Sequence, residues 1–175
     1  TQHGRPQLFA KGCAPVQVSY LGYPGTLGSA CMDYIIADPT VIAPEHEAHF
    51  SEKVVRMPHS YQCNDSQRPI AERVFERGEL GLPDSAFVFV CFNNNYKILP
   101  EVFARWMRIL QAVPGSVLWL YQGTPEGADK LRGHAAAAGV NPQRLVFAPH
   151  MPADRHLARL RQADLFLDTL PCNAH

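Results

Sequence analysis

The chain has 175 residues, of which 46% are apolar and 18% are charged, and its sixteen basic side chains balance sixteen acidic ones. This neutral balance argues against a nucleic-acid or membrane surface as the main partner. No apolar stretch reaches the roughly 18 to 20 residues that span a bilayer, and residues 1–12 lack the apolar core of a signal peptide, so we expect a cytoplasmic protein.

The five cysteines are widely scattered, and none of them forms a C-x-x-C pair. This odd number without pairing motifs predicts reduced, buried thiols rather than a disulfide framework or a zinc site.

Short strands are predicted in the first part of the chain, in the stretches "VQVSY" (16–20), "YIIA" (34–37) and "KVVRM" (53–57). The segment "PEHEAHF" (44–50) predicts a helical turn between the second and third strands. Residues 62–85 are polar and contain turn formers around a predicted helical stretch, "IAERVFERG", which indicates a connector between domains.

From residue 86 the apolar pattern becomes regular and predicts the fold class. Strands and helices alternate in the order "AFVFVCF", "PEVFARWMRILQAV", "SVLWLY", "PEGADKLRGHAAAAG", "RLVFAP", "ADRHLARLRQA" and "ADLFLDT". This alternation is typical of a Rossmann-like α/β fold, in which helices cover both faces of a parallel sheet. Pro100 and Pro125 suit first helical turns, while Gly115 and Gly139 suit positions after the last turns.

The stretch "VCFNNNYKILP" (90–100) places three asparagines and a lysine directly after the first strand of this series. Open parallel sheets bind ligands at the carboxyl ends of their strands. The three amides can donate to phosphate oxygens, and Lys97 can neutralise a leaving diphosphate. The asparagines also suit a plain turn, and spacing alone leaves both interpretations open.

A second loop, "YLGYPGT" (20–26), follows the first predicted strand. Its glycines would let the backbone approach a ligand closely, although Pro-Gly is also common in plain turns. The loop lacks both the G-x-G-x-x-G pattern and the lysine of a P-loop, so it is a weak signal by itself.

Together these stretches resemble one family. The combination of "LGYPGT", "FNNNYK" and "LDTLPCNAH", with "FSEKVVRMPHS" and "VPGSVLWLY" in collinear order, is similar to the catalytic region of the O-linked N-acetylglucosamine transferases, which use UDP-GlcNAc and modify serine or threonine. The resemblance covers nearly the whole chain. The missing intervening domain and the Ala- and Arg-rich helices resemble a bacterial homologue.

The resemblance implies part of a GT-B glycosyltransferase fold, in which two Rossmann-like lobes face each other across a nucleotide-sugar cleft. Residues 1–62 would be the end of the N-terminal lobe, residues 63–83 a connector, and residues 84–175 the first part of the C-terminal, nucleotide-binding lobe. It also implies an inverting reaction that requires no metal ion and no other cofactor, with UDP-GlcNAc as the donor substrate.

The same resemblance implies site residues in the C-terminal lobe. Lys97 matches a family lysine that contacts the diphosphate, and His175 matches a histidine at that site, so both carry catalytic roles. Asn94 matches a polar amide position that hydrogen-bonds the nucleotide sugar. Residues matching the UDP and uracil site are Met151, His156 and Arg159. Without the resemblance, His156 and Arg159 would be interpreted as solvated side chains on an amphipathic helix.

In the N-terminal lobe the resemblance implies a backbone wall near the sugar, formed by Gly22, Pro24, Gly25 and Thr26. It supplies no general base within the chain. Ala153 stands where the animal enzymes carry a lysine near the nucleotide, which is a departure from their pattern.

The implied function is that of a protein O-GlcNAc transferase segment, inactive alone. Its partners would be UDP-GlcNAc or UDP, an acceptor protein or peptide, and the rest of the same polypeptide, including the tetratricopeptide repeats that usually precede this region. Two alternatives stay open: a GT-B enzyme with another UDP-sugar or acceptor, and a non-catalytic nucleotide-binding or scaffold protein.

Overall fold

The computed structural model describes residues 5–174, and the chain divides between Gln67 and Arg68 into two compact units. The first unit contains a parallel sheet with the strand order β1-β2-β3, formed by Val18–Ser19, Tyr34–Ala37 and Lys53–Arg56. A 3₁₀ segment, Pro44–His49, lies between β2 and β3. The predicted strands and helical turn are confirmed, although β1 has only two residues.

The buried carboxylate of Asp38 organises the segment that follows β2. It accepts hydrogen bonds from the N–H groups of Thr40, Val41 and Tyr61, each at 2.9 Å. These bonds, led by the one from Tyr61, hold the pKa of Asp38 below its ordinary value even though burial opposes them. The carboxylate thereby joins the turn after β2 to the segment after β3.

The second unit contains a four-stranded parallel sheet with the order β6-β5-β4-β7. Its strands are Val88–Cys91 (β4), Val117–Tyr121 (β5), Leu145–Ala148 (β6) and Leu165–Phe166 (β7). The connecting helices are Pro100–Ala112 (α1), Pro125–Ala137 (α2) and Ala153–Arg159 (α3). The predicted alternation of strands and helices is confirmed. None of the helices within residues 5–174 combines the length and apolar character needed to cross a membrane.

Both faces of the two central strands, β4 and β5, are buried, as continuous apolar strands predict. Phe89 and Cys91 of β4 pack in one apolar cluster with α1, while Val88 and Val90 pack in another. This alternation follows from the two-residue period of a strand. Helix α1 adds five buried side chains at helical spacing, Val102, Phe103, Trp106, Met107 and Leu110. Burying one large apolar side chain stabilises a fold by about 1.5–3 kcal/mol.

The predicted ends of the helices are also confirmed. Pro100 and Pro125 lie in the first turns of α1 and α2. Gly115 and Gly139 follow these helices with φ angles of 77° each, a left-handed conformation in which a glycine avoids the steric cost of a Cβ.

One predicted helix is wrong. The stretch "IAERVFERG" (70–78) has no helix, and only a short 3₁₀ segment, Gly78–Leu80, begins at its end. Phe75 is buried, and the N–H of Ala71 donates to the carbonyl oxygen of Asp154 at 3.1 Å. Tertiary contacts therefore replace the local hydrogen bonds that the apolar spacing suggested.

The prediction for the cysteines is correct in one respect and wrong in another. All five are free thiols, but only Cys91 is buried. Burial is the main reason why the pKa of Cys91 is raised. Cys31 is half-buried, and the exposed thiols are Cys13, Cys63 and Cys172.

Arg144 binds the carboxyl end of α1. Its guanidinium donates to the carbonyl oxygens of Leu110 at 2.7 Å and Val113 at 2.8 Å. It also donates to the carbonyl oxygen of Ser116 at 2.7 Å and to the Ser116 hydroxyl at 2.8 Å. Carbonyls at a helix end lack intrahelical partners, and a cation also complements the helix dipole there.

Arg144→Met should destabilise the end of α1 by roughly 1–3 kcal/mol, because several buried acceptors would lose their charged donor. Hydrogen exchange in the full-length protein, followed by mass spectrometry, should become faster in peptides covering residues 107–117. Arg105→Met removes an exposed guanidinium from the same helix and is the matched control. Equal exchange in both variants would contradict a stabilising role for Arg144.

Candidate functional site

A cavity of about 320 Å³ lies where β4, β5 and β6 end. Phe92 follows β4, Tyr121 ends β5, and His150 follows β6 by two residues. This edge is where open parallel sheets bind ligands. The residues lining the cavity are Phe92, Asn94, Tyr121, His150, Met151, Ala153, His156 and Arg159. The structure thus brings together four residues that the family resemblance assigns to the nucleotide sugar, namely Asn94, Met151, His156 and Arg159.

Arg159 is a buried charge at this cavity, with an exposed fraction of 1%. Its Nη1 donates to the carbonyl oxygen of Pro149 at 2.7 Å, and its Nε and Nη2 lie 3.2 and 2.7 Å from Nδ1 of His156. The guanidinium carbon lies 4.7 Å from the ring centre of Phe92 and 5.8 Å from that of Trp119, within the range of cation–π attraction. The interpretation of Arg159 as a solvated surface residue is therefore wrong.

No ion pair compensates Arg159 within residues 5–174. Burial lowers its pKa, although an arginine in a protein stays protonated at neutral pH. Burial is also the main reason why the pKa of His156 is lowered, and the nearby charges of Arg159 and His150 lower it further. His156 is consequently neutral at physiological pH.

The described residues that line the cavity include no carboxylate. The ionisable side chains at its wall are Arg159, His156, His150 and Tyr121. With Phe92 contributing an aromatic ring, this lining suits a ligand that combines a flat ring with negative charge.

Lys97 does not line this cavity but lies three residues after Asn94. Its Nζ donates to the carbonyl oxygen of Asn173 at 2.9 Å, so it contacts the segment that follows β7. Strands β4 and β7 are paired neighbours, which explains why the loops after them meet. His175, predicted at the same place, lies outside the described residues.

Asn93 ties these two loops together. Its Nδ2 donates to Oδ1 of Asp168 at 3.0 Å and to the hydroxyl of Thr169 at 2.8 Å. Asp168 also accepts from the N–H groups of Thr169 and Ala174 at 2.8 Å and from the Asn173 amide at 3.0 Å. Burial alone would raise the pKa of Asp168, but these hydrogen bonds hold it below its ordinary value. The network fixes the loop that carries Lys97.

The predicted sugar-site residues of the first unit follow β1 in one loop, which contains Gly22, Pro24, Gly25 and Thr26. Leu21, at its start, has a φ of 64°, a left-handed conformation that costs a non-glycine residue about 1–3 kcal/mol. Gly25 packs closely on Tyr23, since a Cβ at Gly25 would lie 2.7 Å from that ring. The surrounding contacts therefore hold the loop in a defined conformation.

Glu52 anchors this loop from the segment before β3. Its buried carboxylate accepts from the hydroxyl of Thr26 at 2.6 Å and from the N–H of Leu27 at 2.7 Å. The Thr26 hydroxyl itself accepts from the N–H groups of Gly28 at 3.0 Å and Ser51 at 3.3 Å. Because a hydroxyl has one donor and two acceptor positions, that of Thr26 is fully used within the unit.

A larger cavity, of about 410 Å³, lies between α1 and α2. Its walls are mostly apolar side chains of the two helices, including Phe103, Met107 and Leu131. It contains none of the predicted site residues. We assign the candidate site to the smaller cavity, because several polar and ionisable groups converge there at the strand ends.

Sequence reasoning did not single out Phe92, Tyr121, Glu52 and Asp168. Phe92 and Tyr121 could have been found, because each stands at the carboxyl end of a predicted strand. No local pattern identifies the other two. Glu52 meets Thr26 at a separation of 26 residues, and Asp168 meets Asn93 at a separation of 75.

Known proteins are similar to this chain in both sequence and fold. The sequence profile of glycosyl transferase family 41 matches residues 1–73 and 67–175. The probable UDP-N-acetylglucosamine–peptide N-acetylglucosaminyltransferase SEC of Arabidopsis thaliana is 38% identical over 180 residues, which cover 100% of this chain and 18% of the plant protein. The UDP-N-acetylglucosamine–peptide N-acetylglucosaminyltransferase of Caenorhabditis elegans is 25% identical over 287 residues, which cover 100% of this chain and 25% of the worm protein.

A solved structure shows the same architecture. A mutant of the Thermobaculum terrenum O-GlcNAc transferase aligns with a TM-score of 0.81 and 32% identity, over 95% of this chain and 31% of the bacterial one. The predicted fold class, part of a GT-B glycosyltransferase with parallel sheets, is thereby confirmed, and the chain spans 18% and 25% of the two curated relatives. Since the profile extends from the first residue to the last, the chain belongs to glycosyl transferase family 41.

Proposed function

We propose that the chain is a segment of an inverting, metal-independent glycosyltransferase that moves N-acetylglucosamine from UDP-GlcNAc to serine or threonine hydroxyls of proteins. The names of the relatives support the donor and the peptide acceptor over the two alternatives. Within the chain, the observation that carries the proposal is the cavity at the strand ends that gathers Asn94, Met151, His156 and Arg159.

In this proposal the cavity binds the uridine end of the donor. Met151 contributes its backbone beside the uracil, and His156 contributes a neutral aromatic ring. Asn94 lines the cavity without a side-chain hydrogen bond to another described residue, so its amide is available to the nucleotide sugar. Ala153 lines the cavity at the position where the animal enzymes carry a lysine, so no ammonium group stands there.

Lys97 would stabilise the charge that develops on the leaving group. As the acceptor oxygen bonds to the anomeric carbon, its hydroxyl proton passes to a base or to water, the bond to the UDP oxygen breaks, and negative charge accumulates on the diphosphate. One of the three ammonium donors of Lys97 binds Asn173, which leaves two for phosphate oxygens. A positioned cation of this kind lowers the barrier electrostatically. We place His175 at the same diphosphate.

The rest of the assignment concerns the whole protein. Residues 1–62 belong to the N-terminal lobe, where Gly22, Pro24, Gly25 and Thr26 border the sugar. Residues 63–83 connect the lobes, and residues 84–175 begin the C-terminal lobe.

The partners are the donor, an acceptor protein, and the remainder of the polypeptide with its tetratricopeptide repeats. The free thiols are compatible with a cytoplasmic location. The segment alone is expected to be inactive.

The proposed activity can be tested with the full-length protein, UDP-GlcNAc carrying a labelled sugar, and a serine- and threonine-rich peptide. We expect label on the peptide and an equal amount of released UDP. UDP-glucose and UDP-GalNAc are the matched alternative donors, and preferred transfer from either would contradict the assignment of the sugar. Nucleotide binding without hydrolysis or transfer would contradict the assignment of a catalytic role.

Lys97→Ala should lower turnover of the full-length protein by about 100-fold or more, because the leaving diphosphate would lose a charged donor. The melting temperature should stay close to that of the wild type. Lys130→Ala, which removes an exposed lysine from α2, is the control and should keep normal turnover. Unchanged turnover in Lys97→Ala would remove this residue from the mechanism.

Asn94→Ala and Asn93→Ala should impair different properties. The first should weaken UDP-GlcNAc binding with little change in stability, since the Asn94 amide has no side-chain partner among the described residues. The second should lower stability by about 1 kcal/mol, since Asn93 holds Asp168 and Thr169. Calorimetric titration and thermal unfolding measure the two quantities. Equal and negligible effects on binding would support the interpretation of the asparagines as a plain turn.

A further inference from the structure

We infer that Arg159 is a positioning residue, which acts on the ligand through His156 by holding that ring in one orientation with its proton on Nε2. The inference rests on the proposed function, since it concerns how the same cavity binds a uridine nucleotide. It differs from a direct contact between Arg159 and the ligand, although the family resemblance places Arg159 at the UDP site.

The tautomer follows from the hydrogen bonds of the pair. A guanidinium has N–H donors and no acceptor. Two of its nitrogens lie 3.2 and 2.7 Å from Nδ1 of His156, so this atom must be the acceptor and cannot carry a proton. A neutral imidazole then carries its proton on Nε2. Within residues 5–174, Nε2 has no hydrogen-bond partner, and the ring lines the cavity.

Arg159 is itself fixed on several sides. Nη1 binds the carbonyl of Pro149, and the guanidinium lies against the rings of Phe92 and Trp119. With an exposed fraction of 1%, it offers little surface for a ligand. The ring of His156 contacts this fixed group and also lines the cavity, with its centre 5.1 Å from that of Phe92. Arg159 therefore determines the position and orientation of the imidazole.

Burial and, secondly, the neighbouring charges keep the imidazole neutral. Its titratable neighbours are Arg159 on its own helix, His150 after β6 and Tyr121 at the end of β5. Protonation of His156 would remove the acceptor from Arg159 and place a second positive charge beside it. A neutral ring with one N–H at its edge suits an uncharged heterocycle with carbonyl acceptors, such as uracil, better than it suits a phosphate.

A double-mutant cycle with UDP-GlcNAc, without acceptor, tests this arrangement in the full-length protein. We expect His156→Gln and Arg159→Met each to raise the dissociation constant about tenfold, which is about 1.4 kcal/mol. If Arg159 acts through His156, the double variant should also lose about tenfold rather than 100-fold. A loss of 100-fold would show that Arg159 contacts the ligand independently and would overturn the inference.

The pH dependence of binding supplies a readout that a purely structural role would not move. UDP-GlcNAc keeps a constant charge near neutral pH, so calorimetry in buffers of different ionisation enthalpy counts protons taken up by the protein. Arg159→Met should change the linked proton count between pH 6 and 8, because the ring loses an adjacent positive charge that disfavours its protonation. Adding His156→Gln should abolish that change. An unchanged proton count in Arg159→Met would contradict the inference.

Arg159→Lys keeps a cation that can still donate to His156, and it should restore part of the lost affinity relative to Arg159→Met. If the methionine variant does not fold, the same cycle with lysine decides between additive and non-additive losses. A wild-type protein that does not bind UDP-GlcNAc at all would overturn the proposed function, which is a different result from additive losses.

Discussion

The buried guanidinium of Arg159 joins the walls of the candidate cavity. It contacts Phe92 from the loop after β4, Trp119 from β5, Pro149 from the loop after β6, and His156 from its own helix. Removing a charge from water without an ion pair costs several kcal/mol. Here a carbonyl, an imidazole and two aromatic faces offset that cost. Because each of them comes from a different element, the charge is stabilised fully only when all four elements are in place.

The three consecutive asparagines have three different environments. Asn93 binds Asp168 and Thr169 and so connects the loops after β4 and β7. Asn94 faces the cavity. The amide atoms of Asn95 have no hydrogen-bond partner within residues 5–174 and lie beside the cavity between α1 and α2. The loop is therefore shaped mainly by Asn93.

The fold was accessible from the sequence because its dominant signals are local. Continuous apolar strands, helices with prolines in their first turns, and glycines after their last turns identified the second sheet and its connections. The helix prediction for residues 70–78 was wrong because Phe75 and Ala71 make tertiary contacts that no local spacing encodes. Arg159 illustrates the same limit, since helical spacing cannot distinguish a solvated arginine from a buried one. The functional assignment of its position came from the family resemblance, whereas its hydrogen bonds required the structure.

The distribution of charge separates the groups that hold the loops from the groups that face the ligand. Asp38, Glu52 and Asp168 each accept hydrogen bonds from three or more donors, and in each the pKa is lowered. A carboxylate with a depressed pKa and occupied lone pairs is a poor general base at neutral pH, so these three serve as anchors. The cavity, in contrast, is lined by neutral polar and aromatic groups, with the buried charge of Arg159 directly behind them. The carboxylates thus hold the backbone of the loops. The cavity wall contains no carboxylate among the described residues, which suits a negatively charged nucleotide.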